Sequence, residues 1–212
     1  MKWLINRKGF TGLEAAITLI AFITVAAVFS YILLGAGFFA TQKGQEVVHT
    51  GVRQVSSSFE IIGTIVGYGN TTGNNLNATT FTIQLAAGGQ PIDLSKTIIT
   101  VTAPKYGWSI DLKYAKADSA DQLASKATET LYAVYWVVSE NKDDYLEEFE
   151  KAQIYIDLYD IYKTIDEEDW VNTTSLKPND VVLIEIRPPE GAGYPIELKV
   201  PPTIDKTMVL LQ

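Results

Sequence analysis

The sequence predicts an α+β protein, a long hydrophobic N-terminal α-helix followed by an antiparallel β-sandwich. Three observations carry that reading. The 28 residues from Ala15 to Gln42 contain no charge. Beyond Lys43 the apolar residues thin to one stripe, Val48, Val52, Val55, Phe59, Ile62 and Val66, spaced 4, 3, 4, 3, 4. From about Ile61 onward, short β-type runs alternate with turns rich in Gly, Pro, Asn and Asp.

The helix comes first. About 20 apolar residues cross a hydrocarbon core, so the uncharged run is long enough for a membrane. Lys2, Arg7 and Lys8 precede it, which places Met1 in the cytoplasm and the rest of the chain outside. Residues 15–40 are apolar on all sides, and such a helix has to be buried all round. The small residues Ala15, Ala16, Ala21, Ala26, Ala27, Gly35 and Gly37 let helix backbones approach closely. The stripe beyond Lys43 asks for one buried face only. From Phe10 to about Ser58 the rod would be roughly 70 Å long at about 1.5 Å per residue. A monomer cannot bury it. Copies packed head to tail can, and contacts that do not close make an open filament. The plainer reading is a single-span anchor holding an external domain that binds a ligand.

The start of the chain separates the two. A secretory signal has a short apolar core and ends in small residues. Here Arg7-Lys8-Gly9 lies directly before Phe10, with the whole apolar run downstream. A cut between Gly9 and Phe10 would remove the charges and keep the helix, making Glu14 the fifth residue of the shortened chain. A carboxylate at the edge of hydrocarbon is costly unless paired. The new α-amino group, with a pKa of about 8, would supply a cation close by.

Next come the strands. Gly63, Gly67 and Gly69 weaken any continuation of the helix, and Ile62, Thr64, Val66 and Tyr68 alternate as a strand does. A strand from about Ile61 is expected, then a polar loop over 69–78, then strands at Thr79–Leu85, Thr97–Thr102, Trp108–Tyr114, Leu131–Val138, Gln153–Leu158, Val181–Arg187 and Ile196–Val200. Asp118–Lys126 reads as a short helix.

Composition excludes much chemistry. There is no cysteine, which removes disulfides, thiol nucleophiles and cysteine metal sites. Residues 1–60 carry 5 Lys/Arg against 3 Asp/Glu, and residues 61–212 carry 12 against 22, giving the net −8. So acidic a body argues against nucleic acid as a partner. His49 is the only histidine, so neither a catalytic nor a histidine metal centre is expected, and the chain is not read as an enzyme. Asp143, Asp144, Glu147 and Glu148, and the run Asp166–Asp169, lack calcium-loop spacing and read as solvated acidic loops. Tyr155, Tyr159 and Tyr162 could form an aromatic recognition face, although such residues more often pack in a core. Asn70, Asn77 and Asn172 each begin an Asn-x-Thr sequon.

The segment FTGLEAAITLIAFITVAAVFSYILLGAGFFATQKGQEVV resembles the start of the archaellins, subunits of the archaeal flagellum. LKPNDVVLIEIRPPEGAGYPIELKVPPTIDKTMVLLQ resembles their C-terminus, and LAAGGQPIDLSKTIITV their first strands. Bacterial pilins share Phe10 and Glu14 but not the Thr-Gly-Leu between them. Residues 145–170 depart from the family pattern. The resemblance implies a class III signal peptide over residues 1–9, removed by a prepilin-type signal peptidase that reads Lys8, Gly9 and Phe10. It implies a core-forming helix over 10–58, with Phe10 and Glu14 setting assembly, and an immunoglobulin-like outer domain over 61–212. The product would be an extracellular homopolymer that swims, made from a cytoplasmic-membrane precursor by an assembly platform and turned by a separate motor. The alternative is an adhesive type IV pilus subunit. N-linked glycans on at least two of Asn70, Asn77 and Asn172 are further expected, with no cofactor.

Overall fold

The computed structural model describes residues 7–56, 58–165 and 173–210. The chain divides into two compact units, Met1–Gly51 and Val52–Gln212.

The first unit is helical. Helix α1 runs over Arg7–Ser56, 50 residues, or about 75 Å at 1.5 Å per residue. Its backbone passes without a break through Gly9, Phe10 and Glu14. No proline interrupts it, and its threonine hydroxyls bond back to its own carbonyls. Thr18 donates to the carbonyls of Glu14 and Ala15, Thr24 to that of Ala21 and Thr41 to that of Gly37, all at 2.9–3.0 Å.

The second unit is built from strands β1 (Phe59–Asn70), β2 (Asn75–Leu85), β3 (Ile92–Asp93), β4 (Ile98–Ala103), β5 (Trp108–Ala117), β6 (Leu131–Val138), β7 (Tyr145–Leu146), β8 (Lys151–Asp157), β9 (Val181–Arg187), β10 (Tyr194–Lys199) and β11 (Thr207–Val209). Two short helices, α2 (Leu123–Lys126) and α3 (Leu158–Ile165), join them. Nine strands pair in the order β10-β9-β4-β5-β6-β8-β2-β1-β11, and β3 pairs with β7 apart from them. One buried cluster draws on both halves of the ladder. Ile99, Val101, Ile184 and Ile196 come from one half, and Phe81, Ile83, Val134 and Ile154 from the other.

The structure bears out the strand expected from about Ile61, since Phe59, Ile62 and Val66 lie in β1, and departs from the sequence expectations at three places. Gly63 takes φ +77° where the register shifts, and β-branched Ile61, Ile62, Thr64, Ile65 and Val66 suit a paired ladder. The expected loop over 69–78 shrinks to a turn at 71–74. Asn70 closes it by accepting the N–H groups of Thr72 and Gly73 on its side-chain oxygen at 3.0 and 3.1 Å.

The sheet is mixed rather than antiparallel throughout, since β5 and β6 pair in parallel. Residues 118–130, which hold α2, are long enough for the crossover a parallel pair needs. Finally, the strand expected to reach Leu158 stops at Asp157. The Asp157 carboxylate accepts the N–H groups of Tyr159 and Asp160 and starts α3.

Candidate assembly surface

The apolar side chains of α1 have nothing to cover them. Among the described residues, seventeen large ones from Leu13 to Val48 are 55–79% exposed. At about 1.5 kcal/mol each, the low end for burying such a side chain, they represent about 25 kcal/mol. That exceeds the roughly 5–15 kcal/mol by which an ordinary domain is stable. This surface is not made for water. Within Gly12–Gly51 an 18-residue stretch has a mean hydropathy of 2.5, and none of it is buried within the chain.

Two further features suit apolar surroundings. The threonine back-bonds spend hydroxyl donors inside the helix, which lowers the cost of placing them among lipids or other helices. Gly35 and Gly37 cost about 1 kcal/mol each in helix propensity, yet an added Cβ at either would meet nothing within 4 Å. Neither glycine is needed by the chain's own packing. A shallow groove crosses Gly37 between Leu33, Leu34, Phe38 and Thr41. The helix becomes polar at Lys43, whose ammonium pairs with Glu46 at 2.5 Å. Exposed His49 lies beyond it.

Of the residues expected to direct processing, Lys8, Gly9 and Phe10 lie in the opening turns of α1, and their side chains fall outside the described residues. Glu14 is exposed on the same helix. The three sequons are not equivalent. Asn70 ends β1 at the turn, while Asn77 lies within β2, its side-chain oxygen accepting from Asn75 at 2.9 Å. Asn172 lies outside the described residues.

The acidic run at 143–148 is held by protein groups. Asp144 accepts from Tyr114 and Lys116, both at 2.7 Å. Burial disfavours its charge, but the Lys116 and Tyr114 bonds outweigh that and hold the carboxyl below its ordinary range. Asn141 donates to both Asp143 and Glu147. Among the described residues, no group of three or more His, Cys, Asp or Glu side chains is placed to hold a metal ion; Asp166–Asp169 lie outside them.

The tyrosines make no common recognition face. Tyr162 is completely buried, edge-on to Trp108 with ring centres 6.0 Å apart. The Trp108 indole donates to the Thr174 carbonyl at 2.9 Å. Tyr155 packs tilted against Tyr68, and burial pushes its hydroxyl up to about 12. A clamp the sequence did not signal centres on Asp180, which is 6% exposed. Its carboxylate accepts from Lys105 and Tyr106 at 2.7 Å and from the Lys177 N–H at 2.9 Å. Burial opposes ionisation there, but these donors win and lower its pKa.

Residues 9–198 match the family model for archaeal-type flagellin. The chain is 56% identical over its whole length to a protein named probable flagellin 1 from Archaeoglobus fulgidus, covering 99% of it. It is similar to the subunit of the archaeal flagellum of Methanospirillum hungatei, with 27% identity, a TM-score of 0.66, and coverage of 94% of this chain and 99% of that one. It also shares a fold with archaeal flagellin FlaB1 of Methanocaldococcus jannaschii, at 16% identity and a TM-score of 0.57, over 72% of this chain and 95% of that one. With nine-tenths of its length matched and a close full-length relative, the chain belongs to the archaeal-type flagellin family.

Proposed function

We propose that this chain is the structural subunit of an archaeal flagellar filament, an extracellular homopolymer built on its N-terminal helix. The observation that carries the reading is the exposure of the uncharged, apolar helix surface over Ala15–Gln42, in a chain similar to a filament subunit over 94% of its length. Before assembly the helix rests in the cytoplasmic membrane. Afterwards it packs against copies of itself. Exchanging lipid contacts for helix contacts costs little, because both surroundings are apolar.

The remaining parts follow from that use. A prepilin-type signal peptidase cuts between Gly9 and Phe10, releasing residues 1–9. Residues 10–58 then form the filament core, and residues 61–212 the outer domain, its mixed sheet closing over one core in an immunoglobulin-like sandwich. The support for closure is the larger buried cluster, which is fed by both halves of the ladder. Glu14 pairs with an N-terminal amine or a polar neighbour and favours one register, while Asn70 leads the candidates for an N-linked glycan. An assembly platform inserts the subunit, and a separate motor turns the polymer.

The test is the N-terminal residue and intact mass of the protein in filaments sheared from cells. Phe10 at the terminus is the expected result. An intact Met1, with protein only in the membrane fraction, would make the basic residues a topology signal and return the chain to a single-span anchor.

A further inference from the structure

We infer that folding of the outer domain selects between its two neighbouring sequons: Asn70 accepts a glycan on the folded protein, and Asn77 does not. The inference rests on the reading of this domain as an extracellular glycoprotein.

Both sites are Asn-x-Thr and lie seven residues apart, so sequence alone treats them alike. A glycosyltransferase must bind the acceptor in its own cleft, with the asparagine amide and the threonine hydroxyl both reachable. The chain around Asn77 is already occupied. Strand β2 lies between β1 and β8, with Ala78 paired to Tyr68 on one side and Asp157 on the other. The sequon's Thr79 is completely buried, and its hydroxyl is turned to the Val66 carbonyl at 3.3 Å. The Asn77 side chain is itself held by fully buried Asn75. Presenting this sequon requires β2 to leave the middle of the sheet, carrying buried Phe81 and Ile83 with it. That is unfolding of the domain, not a local adjustment.

The Asn70 sequon is arranged the other way. It sits at the hairpin turn, with Thr71 and Thr72 both exposed. The Asn70 side-chain oxygen is taken up by two backbone N–H groups, which fixes the carboxamide while its nitrogen makes the other end. Gly73 leaves that nitrogen room. A Cβ on Gly73 would stand 3.1 Å from it and would also run into the Asn75 side-chain oxygen.

In the transfer, the Asn70 nitrogen bonds to the anomeric carbon of an activated glycosyl phosphate donor. The carbon–oxygen bond to phosphate breaks, the phosphate leaves with the electron pair, and one amide proton passes to a base of the transferase. The Asn70 carbonyl is retained in the product, so its oxygen can still accept the N–H groups of Thr72 and Gly73 after modification.

The experiment is site mapping on native filaments by mass spectrometry, using fragmentation that keeps side-chain groups attached. The filaments come from the natural chain and from a Phe81→Ala variant that loosens β2. In the natural chain, Asn70 should carry the glycan and Asn77 none. In the variant, the hairpin closes more slowly, and Asn77 occupancy should rise at least several-fold. A glycan on Asn77 at an occupancy like that of Asn70 in the natural chain would overturn the inference. Unchanged Asn77 occupancy in chains recovered from the variant, whether or not they reach filaments, would overturn it too. No added mass at Asn70, Asn77 or Asn172 would be a different failure, overturning the glycoprotein reading itself.

Discussion

Replacing Gly37 by leucine should strengthen the helix and weaken the polymer. A Cβ at position 37 meets nothing within 4 Å in the chain, so the new side chain has no clash to pay for in the monomer. Leucine is about 0.8 kcal/mol better than glycine inside a helix, and the isolated helix should gain about that much. In the filament, the same side chain would fill the groove between Leu33, Leu34 and Phe38. Overpacking a tight apolar contact costs about 1–3 kcal/mol, and every subunit carries the change. The two effects have opposite signs, which separates them cleanly. The assay pairs helix content of the full chain in detergent, by circular dichroism, with the yield and heat-dissociation temperature of sheared filaments. Equal or higher helix content with fewer, more labile filaments is expected. Variant filaments as abundant and heat-resistant as the natural ones would refute the claim that neighbours approach α1 at Gly37.

Three other perturbations test the outer domain. Asp180→Ala removes an acceptor for Tyr106 and for the Lys177 N–H. At about 1.5 kcal/mol per bond to a charged group the loss is about 3 kcal/mol, or roughly 6–12 °C in melting temperature for a domain of this size. Because the folded carboxyl titrates below its unfolded value of 3.8, this stability is fully present above that value and is lost as pH falls through the lowered one. The gap between variant and natural chain should therefore narrow as the pH falls below 3.8; a gap that widened with acid would contradict the assignment. Gly69→Ala would drive a methyl into Ile204 and Met208 and to 2.6 Å from the Asp205 backbone carbonyl. It should cost at least about 2 kcal/mol and raise amide exchange in β11 ahead of the rest of the sheet, visible by hydrogen–deuterium exchange. Phe149→Asn should instead stabilise by about 0.5 kcal/mol, since Phe149 is 75% exposed with φ +70°, a conformation asparagine tolerates better; a lower melting temperature would show that the phenyl ring stabilises the fold.

How much of this was legible beforehand differs by element. The helix was, because its signal is local: an uncharged run with isolated glycines and no proline leaves few other conformations. So were β6 and β9, whose limits agree residue for residue with the β-type runs at Leu131–Val138 and Val181–Arg187. The two-residue strands β3 and β7 were invisible, since no periodicity fits in two residues. Helix α3 was missed because an eight-residue helix rests mostly on contacts made elsewhere, here the burial of Leu158, Ile161 and Tyr162.

The assembly surface was legible for the same reason as the helix. A residue such as Phe22 or Tyr31 needs no partner within the chain to show that it lies in an apolar run. The contrast between Asn70 and Asn77 was not legible. By itself, the sequence determined the apolar rod, the acidic body, the absence of thiol chemistry and the three sequons, because each is a property of neighbouring residues. Only the tertiary structure decided that β5 and β6 run parallel, that Asp180 gathers Lys105 and Tyr106 from some 75 residues away, and that Thr79 turns inward while Thr72 stays in water. Those depend on which strands pair across the sheet, and pairing between distant segments is chosen by the burial they share, not by the residues beside them.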